Sequence, residues 1–192
     1  METGKISIIG AVKTFRNTFF DDRGYLSEWF NANDNNQDVF PDFTPKQLLF
    51  SQSKKGVVRG VHYSLAFEGQ KKVLTAVSGK FLDILIDLRV GSPTFEHINV
   101  IEISHEGGEI LILPAGVGHA FQALDNNSTM AYALSAGYNP KSERTINPFD
   151  PHLDFVWRDD DFIISNKDRL AMSFEYAQSN NELPIFRSQE LP

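Results

Sequence analysis

The 192-residue chain is expected to fold as an all-β sandwich or barrel with short peripheral helices. Three observations predict this. Apolar and polar side chains alternate with period two through the middle of the chain, as a strand with two unlike faces requires. Turn signals built from Gly, Pro, Asn and Ser recur at short, even spacing. Helical periodicity is scarce before the C-terminal third.

The clearest strand is FLDILIDLRV at 81–90, where Leu82, Ile84, Ile86 and Leu88 point one way and Phe81, Asp83, Leu85, Asp87 and Arg89 the other. Similar runs occur at 47–52, 57–63, 72–77, 98–104, 109–113 and 129–135. Between them stand SKKG, SGK, GSP, EGGE, PAGVG and DNNS, sequences that break strands or reverse the chain. Many short strands joined by tight turns indicate a sandwich or barrel. Near the C-terminus, SNKDRLAMSFEYAQ has the pattern for a turn or two of helix, with Ser165 or Asn166 as cap. The Pro-rich stretch NPKSERTINPFDPHLDFVW is expected to wrap over the barrel and return later residues toward its mouth. No internal repeat or linker interrupts the chain, so residues 1–192 read as one domain.

Composition narrows the function. A formal charge of −7 argues against general affinity for nucleic acid or anionic membrane, while leaving room for a local basic pocket for a phosphorylated ligand. The absence of cysteine removes disulfides, zinc–thiolate sites and thiol nucleophiles together. The N-terminal apolar stretch is short and soon interrupted by Lys13, unlike a signal peptide or membrane span, so a cytoplasmic protein is the default expectation.

Two segments carry the chemistry. VVRGVHYS at 57–64 sets one arginine and one histidine in an apolar strand, and GEILILPAGVGH at 108–119 repeats the habit with His119. The second segment has the spacing G, five residues, P, x, G, two residues, H, and resembles the second motif of the cupin superfamily. That resemblance implies a double-stranded β-helix, or jelly-roll barrel, around a small-molecule cavity. Metal-binding cupins also need an HxH pair and a glutamate in the earlier motif, whereas Tyr63 and Ser64 follow His62 here. The donor set is too small for a divalent ion, and a metal-free cupin is expected.

Over nearly its whole length the chain is similar to the dTDP-4-dehydrorhamnose 3,5-epimerase family and related sugar-nucleotide epimerases. The matching pieces are DDRGYLSEWF at 21–30, QLLFSQSKKGVVRGVHYS at 47–64, QKKVLTAVSGKFLDILIDLRVGSPTF at 70–95, LPAGVGHAF at 113–121, MAYALSAGYNPKSERTI at 130–146 and SNKD at 165–168. The resemblance implies a nucleotide-linked 4-keto-6-deoxyhexose whose C3 proton, C5 proton or both are removed and returned on the opposite face. Loss of either proton is stabilised as an enolate of the C4 ketone, so no redox or metal cofactor is required. The reaction belongs to deoxysugar biosynthesis. His62 carries over as base, Asp168 as its orienting partner, Tyr132 as the opposite-face acid and Lys72 as neighbour of the enolate oxygen. Lys71 adjoins Lys72, and alternation sends only one of the two into a cavity. Arg23, Glu28, Gln47 and Arg59 look like the family's ligand-binding positions, Phe19 a stacking partner for the base, and His119 and Tyr138 cavity lining. Taken outside the resemblance, the same residues read as a satisfied core histidine, a buried aromatic, a capping aspartate and surface salt bridges.

Arg59 and His62 are three apart, which in a regular strand sends them to opposite faces; Gly60 is the place where a bulge can bring them together. Leu49, Ser64 and Ala120 stand where asparagine, glutamine and glycine are usual in the family, so the pocket is expected to be altered around an intact proton-transfer set. The number of epimerised centres and the nucleotide stay open. The alternatives are an epimerase of one carbon only acting on a differently activated sugar, a metal-dependent cupin, a ketoisomerase and a non-catalytic sugar-binding cupin. The resemblance also implies a homodimer with exchanged N-terminal strands, in which residues from Phe19 to Glu28 reach the neighbour's pocket.

Overall fold

A computed structural model of the chain describes residues 6–31, 43–66, 69–155, 157–158 and 161–187. Two antiparallel sheets face each other. One has five strands in the order β1 (Val12–Phe15), β9 (Glu109–Leu113), β6 (Lys72–Ser78), β11 (Ser128–Leu134) and β4 (Gln47–Ser53). The other runs β12 (Glu143–Thr145), β5 (Val57–Ser64), β10 (Val117–Ala123), β7 (Lys80–Asp87) and β8 (Ile98–Ser104), with β13 (Ile163–Ile164) parallel to β5. A separate hairpin pairs β2 (Asn17–Asp21) with β3 (Gly24–Glu28). This is the all-β, cupin-type jelly roll expected from the alternating runs and the second histidine motif.

Both faces of β7 are covered, which explains why its sequence is almost continuously apolar. Phe81 and Leu85 meet Leu74, Leu111, Phe121 and Met130 between the sheets. On the opposite face Leu82, Ile84, Ile86 and Leu88 pack against Ile146, Leu153, Phe174 and Leu183 from the segment that follows β11. The Pro-rich stretch therefore covers the outside of the six-stranded sheet, as its composition suggests. Burying such side chains contributes roughly 1.5–3 kcal/mol each. The outer face of the other sheet, through Val73, Ile110 and Ile112, is covered by Trp29, Phe30 and Phe43.

Two short helices stand where the sequence indicates a turn or two, the first capped by Ser165 as expected. Ser165 accepts from the backbone N–H of Asp168 and opens α1 (Asn166–Arg169); Ser173 does the same for Tyr176 and opens α2 (Phe174–Ser179). Because β13 lies alongside β5, the first of these caps sets Asp168 beside the strand that carries His62.

The local feature that positions the site is a bulge in β5. His119 of β10 opposes His62 and Phe121 opposes Arg59, so three steps on β5 match two on β10. The extra residue turns Arg59 and His62 to one face. Gly60 sits within the bulge at φ +109°, and a Cβ there would lie 2.5 Å from the His119 carbonyl oxygen and 2.7 Å from Ala120. Ser64 and Ala120 do not alter the cavity as expected: Ser64 is buried and its Oγ accepts from the backbone of Ala66, and Ala120 packs in the outer core.

Replacing Gly60 by alanine combines a left-handed backbone with a backbone clash. Gly60→Ala is expected to cost about 1–3 kcal/mol and to lower the melting temperature by roughly 2–12 °C, read by circular dichroism.

Candidate active site

A cavity of about 360 Å³ opens between the two sheets. From the five-stranded sheet it receives Gln47 and Leu49 of β4, Lys72 of β6 and Tyr132 of β11; from the six-stranded sheet, Arg59 and His62 of β5 and His119 of β10. The strand pairings set these positions. Tyr132 opposes Leu49 on one side and Leu74 on the other, and Lys72 opposes Leu134 and Leu113. Register also resolves the lysine pair, because Lys72 is buried and lines the cavity.

His62 and Asp168 form a dyad, with Nε2 to Oδ1 at 2.7 Å; the histidine side chain is 38% exposed and the aspartate 5%. Burial works to raise the Asp168 pKa, but the hydrogen bond and charge of His62, the Ser165 side chain and the Gly60 backbone amide outweigh it and hold the carboxyl below its usual range. An anionic Asp168 fixes the proton on Nε2 of the neutral imidazole. Nδ1 is then the nitrogen with a free lone pair.

Lys72 Nζ donates to the carbonyl oxygen of His62 at 3.1 Å. Burial lowers its pKa to about 8, opposed by the charges of Glu143 and Asp83. Tyr132 moves the other way: burial, reinforced by Asp83 and opposed by Arg59, raises it well above the usual phenol value, so the hydroxyl stays protonated at neutral pH. Its ring stands edge-on to His119, with centroids 5.9 Å apart.

Arg59 shares the face of His62. Its Nε donates to Ser53 Oγ and its Nη2 to the Gln52 carbonyl, both at 3.3 Å, leaving a forked cation at the cavity wall. Tyr138 also lines the cavity, its backbone N–H donating to Gln47 Oε1 at 3.0 Å. Phe19, Arg23 and Glu28 are not brought there. They lie exposed on the β2–β3 hairpin, where Arg23 pairs with Asp21 and Glu28 accepts from Asn31. Among the described residues no cluster of three His, Asp or Glu side chains converges as a metal site: His62 and His119 are each engaged by a carboxylate.

Three residues were missed in the sequence. Asp83, fully buried, accepts from His119 Nε2 at 2.8 Å and makes a second His–Asp pair. Glu143 and Arg144 of β12 also line the cavity, the latter bonded through Nε to Glu182 at 2.5 Å. An acidic side chain in the middle of an apolar strand was the available signal for Asp83. Nothing local marked the other two.

The chain is similar to proteins with this fold and cavity. The family model for dTDP-4-dehydrorhamnose 3,5-epimerase matches residues 5–176. A dTDP-4-dehydro-6-deoxyglucose 3-epimerase from Streptomyces bikiniensis is 35% identical over 88% of this chain and 86% of its own. A dTDP-4-dehydrorhamnose 3,5-epimerase from Mycolicibacterium smegmatis is 35% identical over 97% of this chain and 92% of its own. The crystal structure of a 3′-monoepimerase from Streptomyces bikiniensis in complex with dTDP-quinovose superposes with a TM-score of 0.88, at 35% identity over 94% of this chain and 91% of that one. Fold, cavity and relatives thus define an isomerase of cupin architecture, a carbohydrate epimerase. The chain belongs to the dTDP-4-dehydrorhamnose 3,5-epimerase family.

The 2.7 Å dyad makes a direct prediction. Asp168→Asn keeps the volume of the side chain but removes the charge that supports an imidazolium at position 62. Steady-state kinetics is expected to show kcat reduced about 10²- to 10⁴-fold with KM little changed.

Proposed function

We propose that the chain epimerises a nucleotide-linked 4-keto-6-deoxyhexose of the dTDP-4-dehydro-6-deoxyglucose type at C3, C5 or both, in deoxysugar biosynthesis, and that His62, Asp168, Lys72 and Tyr132 carry the reaction. One observation carries the assignment of roles: the two proton-transfer groups, His62 with its carboxylate and the protonated Tyr132, come from opposite sheets and face one cavity. A sugar ring held between them has a base on one face and an acid on the other.

Nδ1 of His62 takes the proton from the carbon next to the ketone, and Asp168 supports the imidazolium that forms. The electron pair moves to the C4 oxygen, whose negative charge falls to the ammonium of Lys72. Tyr132 returns a proton from the other face as the C=O re-forms, because an enolate carbon is more basic than a phenolate. The ketone itself is the electron sink, so the steps need neither a metal nor a redox cofactor. Arg59 holds the diphosphate by forked hydrogen bonds, with Gln47, Tyr138 and His119 against the sugar. A mono-epimerase of C3 or C5 uses the same steps once. Leu49, next to Tyr132 in register, is the residue of the unusual set that faces the cavity. A silent sugar-binding cupin would have no use for a buried carboxylate oriented on His62.

The same reading takes residues 1–192 as one epimerase domain working in the cytoplasm, where sugar nucleotides are made, with no nucleic-acid or membrane partner. It also takes the active form to be a homodimer. Support comes from the β2–β3 hairpin, which exposes Phe19, Phe20 and Leu26 at 62%, 79% and 70%, and from the edge strand β4, which exposes Leu48 and Phe50 at 68% and 71%. An uncovered edge with an apolar row is what a second chain covers. In the dimer the hairpin carries Phe19, Arg23 and Glu28 to the neighbour's cavity for the nucleotide.

The test of the chemistry is NMR of 4-keto-6-deoxyglucose nucleotides incubated in D₂O. Wild type is expected to give deuterium at C3, C5 or both; Tyr132→Phe to slow product formation about 10²- to 10⁴-fold; His62→Asn to abolish exchange. Exchange retained in His62→Asn, or none in wild type across a nucleotide panel, contradicts the assignment. Light scattering tests the assembly: Phe20→Asp with Leu26→Asp is expected to convert a dimer to monomer and to weaken nucleotide binding, and a fully active wild-type monomer contradicts the shared site.

A further inference from the structure

Four side-chain atoms among the described residues are buried without a hydrogen-bond partner, and two of them are carboxylate oxygens, Asp83 Oδ1 and Glu143 Oε1. A carboxylate oxygen cut off from water and from donors is costly unless a cation acts on it through space. The two residues sit on β7 and β12 of one sheet, and both act electrostatically on Lys72, which enters from the other sheet. Lys72 is 7% exposed, and its Nζ makes one hydrogen bond among the described residues, to a neutral carbonyl oxygen. Both oxygens are cut off from solvent, although the Glu143 side chain also lines the cavity.

We propose that Asp83 and Glu143 are positioning residues that hold Lys72 as an ammonium ion at the cavity wall, so that a cation is in place when negative charge develops on the substrate oxygen. The proposal rests on the role given to Lys72 above and explains how a buried lysine performs it. Left alone, burial favours the neutral amine, which has no charge to offer an enolate. A hydrogen-bonded ion pair would supply the charge but would engage the ammonium with a carboxylate. Two carboxylates acting at a distance keep the proton on Nζ and leave its donors free to turn to the substrate. Asp83 has a second effect of the same sign, since its charge also favours the protonated phenol of Tyr132. The other ionisable groups lining this cavity are His62 on β5, His119 on β10, Tyr132 on β11, Tyr138 after it, Arg144 on β12 and Lys167 on α1, with Arg59 at the wall.

The sign of the pH effect follows. A lysine acts as a cation below its pKa, so activity that needs the ammonium is lost as pH rises through about 8. Removing either carboxylate moves that loss to lower pH. Glu143→Gln is the cleaner variant, because the Glu143 side chain makes no hydrogen bond among the described residues, whereas Asp83→Asn also changes the partner of His119.

The experiment uses full-length protein labelled with ¹³C at lysine Cε, with the Lys72 resonance assigned by its absence in Lys72→Arg. In Glu143→Gln and in Asp83→Asn the Lys72 midpoint is expected to fall by about one pH unit, and the basic limb of kcat/KM to move with it while KM changes little. A midpoint unmoved in both variants, with circular dichroism and melting temperature showing them folded, overturns the proposal. A midpoint that shifts while the limb stays fixed upholds the counter-charge assignment and instead removes Lys72 from the enolate step.

Discussion

The site depends on one irregularity in backbone pairing, the extra residue that β5 carries opposite β10. Without it Arg59 and His62 point to opposite faces of the sheet, and the base and the cation assigned to the diphosphate cannot share a cavity. Gly60 makes the bulge possible by accepting a left-handed backbone where the His119 carbonyl and Ala120 leave no room for a side chain. The backbone amide of the same residue also helps hold the Asp168 carboxyl below its usual range. A glycine with no functional group of its own therefore joins Arg59, His62 and Asp168, the residues proposed as phosphate clamp, base and support of the base.

Around the bulge the barrel supplies contrast between its walls. The six-stranded sheet is buried on both faces and holds His62, His119 and their carboxylates in fixed geometry. The five-stranded sheet supplies Lys72 and Tyr132, whose side chains reach the cavity without a charged hydrogen-bond partner among the described residues. Charge and protonation are consequently set by burial and by through-space interaction more than by contact. That arrangement suits a reaction in which charge appears on the substrate and disappears again within one cycle, since preorganised groups need not rearrange to meet it.

Much of the fold could be read in the sequence because alternation and turn residues are local signals. The runs at 47–52 and 98–104 are β4 and β8 to within a residue, and Ser165 caps the first short helix of the segment expected to be helical. Non-local pairings were harder. Asp83 and Asp87 lie on one face of one strand and look alike in sequence. Yet Asp87 is satisfied by Arg89, Ser92 and Thr94 close by in the chain, whereas the partner of Asp83 is His119, 36 residues away. Ser64 and Ala120 are expected to alter the cavity because they depart from the family pattern near its histidines, but alternation turns Ala120, next to His119, outward, and Ser64 ends β5 with its Oγ engaged by the Ala66 backbone. Phe19, Arg23 and Glu28 belong to a hairpin outside both main sheets, so the alternation that places the barrel strands says nothing of where they lie relative to the cavity.

The central claim is that the bulge gives one substrate molecule a diphosphate clamp and a base on the same wall, with the acid opposite. A crystal structure of the protein with dTDP-6-deoxyglucose, which lacks the C4 ketone and cannot react, tests it directly. The account predicts the diphosphate on Arg59, the sugar ring between His62 Nδ1 and the Tyr132 hydroxyl, and the C4 oxygen nearest Lys72. A diphosphate bound away from Arg59, or His62 and Tyr132 on the same face of the ring, would contradict it.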